Sequence, residues 1–562
     1  MQSSAQIALI LLLFIAGMRP ASMCAQESTP APAAAAFPHT AYPNGSGTAL
    51  GQQIDTLLAD PSASRAHWGI AVTTLDGTPL YGHDEGKLFR PASNNKIFTT
   101  ATAMALLGAG KTFDTRVFGK LNTATGTVIG DLTLVGGGDA NFGADDLPYV
   151  PRSASATEPP PPPMPPTLTD LKALVDQLVA KGVKRITGNI VGDDTLYPYE
   201  PYGESWAQDD EVWGYGAPVS ALSVTNNQLE LIVTPGASSG ANGYRPATVQ
   251  LEQNVPYYTV EAHVETSAAG THPDGVAEER LPGSRVIRVY GSIAVDAKPD
   301  VEEIAIADPA EFAAMSLRRM LRHRGIIVTG RARAKHRQST DAGGYRAELL
   351  APDRCDAAAV SGGAPCPVVC AVTPARPSGD LLASHTSAPL AEDVVLTNKI
   401  SQNLHAELFL HNLGRQGACG DGSILAGARL IRANLLHAGL DPDDFIFFDG
   451  SGLSAHDVVA PRATATFLAY VAEQPWFPQW KASLPDASDD GSLRHRFPDP
   501  PVHGHVYAKT GTLGESRALS GYLDAASGRT VIFSVFVDDH TPATAADRIT
   551  MDKIVTAIAA AE

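Results

Sequence analysis

The C-terminal part of the chain carries three apolar strands in close succession, Val506–Thr512, Ala518–Leu523 and Thr530–Val537, with a turn at Ala526-Ser527-Gly528 between the last two. Strands joined by turns this short must run antiparallel, because a parallel return needs a crossover of a dozen residues or more. A helical pattern over 545–560 closes the chain. Far upstream, a helical stretch from Ala49 leads to a strand at Trp68–Val72 and a turn at Asp76-Gly77. The segment Phe89–Lys96 then opens a helical pattern on Ile97, Ala101, Met104, Ala105 and Leu107 that stops at Gly108. Ser93 therefore stands near the N-terminus of an apolar helix.

From about Thr112 the texture turns to β. Short strands are expected at Val117, Thr127–Ile129, Leu132–Val135, Ile186–Val191, Gln228–Val233, Tyr257–Val264, Val286–Val295 and from Gly325 to Thr329. Helices are expected over Leu168–Ala180 and Glu311–His323, and later over Leu396–Asn412 and Ile424–Ala438. The run at 158–166 is nearly all proline, which continues neither helix nor sheet, and reads as an exposed loop insertion. No internal repeat is visible.

A chain of 562 residues is too long for one core and predicts two or three domains. Its net charge of −18 argues against nucleic acid as a partner and gives no reason for attraction to anionic lipid, so membrane contact is allowed but not required. Ile7–Ala16 is an unbroken apolar run, too short to span a bilayer and suited to the core of a secretory signal. Small residues follow at Ala21, Ser22 and Ala25, then a Pro/Ala-rich stretch. The expectation is a signal peptide over 1–25, a disordered linker over 26–44, and export to the periplasm. No Lys or Arg precedes the apolar run, which leaves an uncleaved anchor as the alternative. Cys24 is preceded by Met23, larger than the residue usual before a lipidated cysteine. Beyond the leader, Cys355, Cys366, Cys370 and Cys419 remain, and one local loop-closing disulfide suits the first three. Their spacing lacks a CxxC pair or a nearby His, so no zinc site is expected, and no other metal or cofactor.

Three short motifs carry chemistry. Ser93-Asn94-Asn95-Lys96 is SxxK at a helix start, Ser401-Gln402-Asn403 is SxN at another, and Lys509-Thr510-Gly511-Thr512 is KTGT on a strand before a hairpin. A serine hydroxyl needs a base in contact to become a nucleophile. Three residues along a helix put Lys96 on the same face as Ser93. To accept a proton the lysine must be depressed by burial or a second cation, which Lys509 supplies. Ser401 is placed to shuttle a proton between lysine and leaving amine, and Asn403 to hold Lys96 and a substrate amide. The strand carrying Lys509 can pair with an extended peptide, with Lys509, Thr510 and Thr512 receiving its terminal carboxylate. Backbone N–H groups of Ser93 and Thr512 form the expected oxyanion hole. His405 and His505 flank motifs but lack a nucleophile elbow and read as surface histidines.

In their order and spacing these motifs resemble the penicillin-recognising serine enzymes, and in particular the class C low-molecular-mass penicillin-binding proteins, the D-alanyl-D-alanine carboxypeptidase/endopeptidase family. A long gap separates the first two motifs, and the stretches Gly130–Asp139, Tyr215–Leu222 and Asp449–Ser454 are also similar. The resemblance implies an α/β (α+β) fold. Its catalytic domain, a five-stranded antiparallel sheet flanked by helices, would be built from 45–112 and 389–562. Two mostly-β domains would be inserted at 113–388. It implies peptidoglycan stem peptides as substrate and acylation by β-lactam antibiotics. By local alignment it makes Asp210, Trp213 and Tyr215 candidates for recognising the D-amino end of meso-diaminopimelate, and Gly511 part of the substrate strand. A β-lactamase or esterase with the same residues, and a non-catalytic wall-binding protein, are the alternatives.

Overall fold

The computed structural model describes residues 41–562 apart from 44–46, 146, 152–167, 239–242, 254, 272–274, 340–360, 362–376, 417–419, 488–489 and 542–543. The expected leader, the proline run at 158–166 and the cysteines at 24, 355, 366, 370 and 419 lie outside the described residues. Among the described residues no helix is long and apolar enough to cross a membrane.

The fold is mixed α/β. The three C-terminal strands, observed at Val506–Leu513, Ser516–Asp524 and Thr530–Asp538, pair antiparallel in that order. Thr530–Asp538 then pairs with His67–Thr74, which pairs with Pro79–His83, so five strands form one sheet from both ends of the chain. Ile70 lies opposite Val535, and Lys509 opposite Ser520. Side chains alternate across a sheet, and this one is covered on both faces. Val531, Phe533, Val535 and Val537 pack with Leu50, Ile54, Ile554 and Ile558 of the helices Ala49–Leu58 and Ala546–Ala561. Ile532 and Phe536 face the other way, into a core with Ile97, Phe98, Leu404, Leu408 and Phe467.

A separate core gathers side chains from Val117 to Ala383. Asp380–Thr386 pairs antiparallel with Asp114–Asn122, which pairs antiparallel with Thr127–Val135. Ile190–Pro198 then runs parallel between Thr127–Val135 and Ala332–Arg337. The helices Thr169–Ala180 and Pro309–His323 pack into this core through Leu171, Leu174, Leu178, Phe312, Leu317 and Leu321. Two three-stranded sheets complete the region.

Two sequence expectations need correction. The helix expected over Leu396–Asn412 is two helices, Leu390–Lys399 and Asn403–Leu413. Ser401 takes φ +63, which ends the first, and the Gln402 side chain accepts from Leu404 N at 3.1 Å, which caps the second. Apolar spacing persists through the break and hides it. His405 is no surface residue: it is fully buried, 2.6 Å from Asp393 and 2.9 Å from Asn226. His505 is exposed.

Candidate active site

Ser93 sits on a single 3-10 turn, Ala92–Asn95, that runs straight into the helix Lys96–Leu106. Lys96 is fully buried and its Nζ lies 3.0 Å from Ser93 Oγ. Nζ also donates to Asn403 Oδ1 at 2.6 Å and to the Ser451 carbonyl at 2.8 Å. Two N–H bonds are thus fixed on acceptors that cannot give a proton back. In a neutral amine the remaining tetrahedral position is a lone pair aimed at the Ser93 hydroxyl.

The second amine comes from the sheet edge. Lys509 Nζ donates to Ser401 Oγ at 2.8 Å and to the Thr510 carbonyl at 3.1 Å. Asn94 Nδ2 donates to the Lys509 carbonyl at 2.6 Å, tying the turn that carries Ser93 to the strand. The break between the two helices is what presents Ser401 and Asn403 side by side. Burial depresses Lys96 to about 7, with the Asp449 and Glu407 carboxylates opposing. Burial, and then the Lys96 cation, hold Lys509 well below its ordinary value. Two amines so close and so dry resist carrying charge together.

Backbone contact sets how tightly these parts approach. A Cβ on Gly452, at φ +82, would stand 1.8 Å from the Ala92 carbonyl oxygen, and one on Gly511 would stand 2.4 Å from that of Pro91. Gly452→Ala is therefore expected to destabilise the protein by ~3 kcal/mol, from left-handed strain plus overpacking, and to slow any reaction of Ser93. A urea unfolding midpoint equal to wild type would show that the approach is looser than described.

Beneath Lys96 lies a set of acids that the sequence reading gave no role. Asp449 accepts from Gly452 N at 2.7 Å, Ser454 N at 2.6 Å and Trp206 Nε1 at 2.9 Å. Glu407 accepts from Gly450 N at 3.1 Å and Ser451 N at 2.7 Å. Asn95 Nδ2 donates to Asp457 Oδ2 at 3.0 Å and to the Asp449 carbonyl at 2.9 Å. Burial and the neighbouring Asp449 charge raise both Glu407 and Asp457. The stretch Asp449–Ser454 was visible in the sequence as a similarity. Glu407, Asp457 and Trp206 had no signal there, because nothing local shows what an isolated side chain meets, and Asn95 stood inside SxxK only as a spacer.

A cavity of about 390 Å³ opens over the cluster, lined by Ser93, Ser401, Asn403 and Thr512, with Asp210, Tyr215, Gly452, Leu453, Leu513 and Gly514. Tyr215 OH donates to Asp210 Oδ1 at 2.9 Å, and burial raises the Asp210 carboxyl. Asn403 Nδ2 donates to the Tyr215 carbonyl at 2.9 Å. Trp213 corrects the sequence reading: it is absent from the cavity wall and packs against the second core, bridging Ile304. In its stretch only Asp210 and Tyr215 reach the opening. Thr510 and Gly511 also lie off the wall: Thr510 Oγ1 is 2.8 Å from Ser492 Oγ, and Gly511 packs under Pro91. Among the described residues no group of acidic, His or Cys side chains is arranged to hold a metal ion.

The model of the D-Ala-D-Ala carboxypeptidase 3 (S13) family matches residues 50–343 and 362–559. The chain is 30% identical over 506 residues to the D-alanyl-D-alanine carboxypeptidase of Actinomadura sp. (strain R39), covering 88% of this chain and 82% of that one. The crystal structure of penicillin binding protein 4 (dacB) from Haemophilus influenzae matches with TM-score 0.70 at 20% identity, covering 90% of this chain and 98% of that one. The structure of the same protein complexed with a β-lactam matches with TM-score 0.65 at 19% identity, covering 91% and 98%. The chain belongs to the D-Ala-D-Ala carboxypeptidase 3 (S13) family, among the class C low-molecular-mass penicillin-binding proteins, and is a serine-type peptidase.

Proposed function

We propose that this peptidase is a D-Ala-D-Ala carboxypeptidase and endopeptidase of peptidoglycan stem peptides, working through an acyl-enzyme on Ser93. The observation that carries the reading is the pair of contact chains Asn403–Lys96–Ser93 and Lys509–Ser401, whose Ser93, Ser401 and Asn403 line one cavity. Neutral Lys96 takes the Ser93 proton as Oγ attacks the carbonyl carbon of the penultimate D-Ala. Backbone N–H groups of Ser93 and Thr512 hold the oxyanion. The proton passes to the leaving nitrogen by way of Ser401, and terminal D-Ala, or in endopeptidase mode the D-amine of a cross-linked neighbour, departs. Water then cleaves the ester, with Lys96 again taking the proton. Lys509 and Thr512 receive the substrate carboxylate, while Thr510 and Gly511, off the cavity wall, hold their strand in place. Asp210 and Tyr215 face the D-amino end of the side chain.

The same reading assigns catalysis to 45–112 and 389–562, with 113–388 as inserted domains. It includes export to the periplasm, no cofactor, no nucleic-acid partner and no need for membrane contact. A β-lactam presents a strained amide in place of the D-Ala-D-Ala bond and acylates Ser93. Incubation with purified muropeptides and mass analysis tests both activities: loss of terminal D-Ala and conversion of cross-linked dimers to monomers are expected. Ser93→Ala is expected to lose both, and to lose covalent uptake of labelled penicillin. Covalent labelling of Ser93→Ala at the wild-type level would remove Ser93 from the role.

A further inference from the structure

The last turns of the helix Pro309–His323 form one wall of a groove of about 580 Å³ that shares no residue with the cavity over Ser93. Its floor is apolar, with Val255 and Met315, and its rim is cationic, with Arg318, Arg319, Arg322 and His323. Arg319, Arg322 and His323 are exposed. Neighbouring cations have partners: Arg324 pairs with Asp176, Arg285 with Glu311, and Lys335 with Asp193 at 2.7 Å. Arg318 donates to the Gly330 carbonyl at 3.0 Å. Among the described residues Arg319 and Arg322 have no ion pair. They stand three apart on one helix, where like charges repel. A chain with 60 Asp and Glu against 42 Lys and Arg has acids to spare, yet among the described residues none lines this groove.

We propose that this groove docks a carboxylate-bearing strand of the peptidoglycan network, as a second contact separate from the peptide being cut. The proposal rests on the reading of the substrate given above. Stem peptides carry free carboxylates, and a guanidinium fork binds a carboxylate with two parallel hydrogen bonds. A protein of net charge −18 is repelled overall by an anionic polymer, so a local cationic face is needed to hold it there. The recessed apolar floor suits the aliphatic body of a peptide strand, whereas a bilayer surface is met by protruding residues.

The test is co-sedimentation of the full-length protein with insoluble, purified peptidoglycan, after penicillin has blocked Ser93. The double variant Arg319→Glu/Arg322→Glu is expected to bind about fivefold less, and wild-type binding is expected to fall as salt rises. Release of D-Ala from a small soluble peptide is expected to be the same for both. Equal sedimentation of variant and wild type overturns the proposal. So does arginine-dependent binding to phosphatidylglycerol vesicles without binding to peptidoglycan. If the double variant loses soluble turnover, Arg319→Gln/Arg322→Gln is read in its place against the same two outcomes. A wild-type protein that leaves the soluble peptide uncut, yet shows arginine-dependent sedimentation, defeats the catalytic reading and spares the docking one.

Discussion

Lys96→Met is expected to slow acylation of Ser93 by penicillin ~10³-fold or more, the scale of a lost general base. Methionine fills nearly the same volume, so the helix start stays packed while the proton acceptor 3.0 Å from Ser93 Oγ disappears. Lys96→Arg is expected to be as slow, because a guanidinium stays protonated and has no lone pair to offer. The pair of variants separates a base from a mere positive charge: an arginine variant acylating at the wild-type rate would rule the base role out. The pH dependence has a definite sign. Lys96 is depressed to about 7, so below that it is a cation that cannot accept the Ser93 proton, and above it the amine is free. Wild-type acylation is therefore expected to rise with pH through about 7 and then level. Lys509 adds a substrate effect. In the empty cavity burial and Lys96 disfavour its charge, but a bound carboxylate restores it, and a charged Lys509 further disfavours a proton on Lys96. A β-lactam lacking its carboxylate is expected to acylate Ser93 with the rise displaced to higher pH, measurable by stopped-flow labelling across pH.

The sequence exposed the clustered side chains of the candidate site better than the frame that aligns them. SxxK and KTGT are short-range patterns whose local structure, helix start and edge strand, follows from spacing and apolar alternation, so Ser93, Lys96 and Lys509 were legible. The SxN motif was read at a helix start, but the end of a preceding helix at Lys399 was not, because Leu396, Leu404 and Leu408 keep a helical apolar rhythm across the break. Strand pairing between His67–Thr74 and Thr530–Asp538 joins residues hundreds of positions apart, and no local pattern encodes a partner at that range. Trp213 was misplaced for the same reason: proximity in sequence to Asp210 and Tyr215 does not decide which side chain turns to the cavity. His405 was misread because burial of a polar residue depends on partners, here Asp393 and Asn226, from elsewhere in the chain.

Asp449→Ala is expected to cost ~3–5 kcal/mol of stability. The carboxylate is fully buried and receives Gly452 N, Ser454 N and Trp206 Nε1, and each donor left bare in a dry site is costly. Urea unfolding followed by tryptophan fluorescence measures it. The functional half of the prediction uses Asp449→Asn, which keeps the shape and removes the charge. Asp449 favours the protonated form of Lys96, so its loss is expected to move the rise in acylation to lower pH. Asp457 limits that move. Its proton is held by burial and by repulsion from Asp449, and once Asp449 is neutral Asp457 ionises more readily and returns part of the lost charge. Asp449→Asn/Asp457→Asn is therefore expected to shift the profile further than the single variant, while the shallow surface pair Lys87–Asp84, 2.9 Å apart, leaves it unchanged when removed. A profile that stays at the wild-type midpoint in both acid variants would mean that burial alone sets the base, and that the acids beneath it serve only to fold the loop that offers the Ser451 carbonyl.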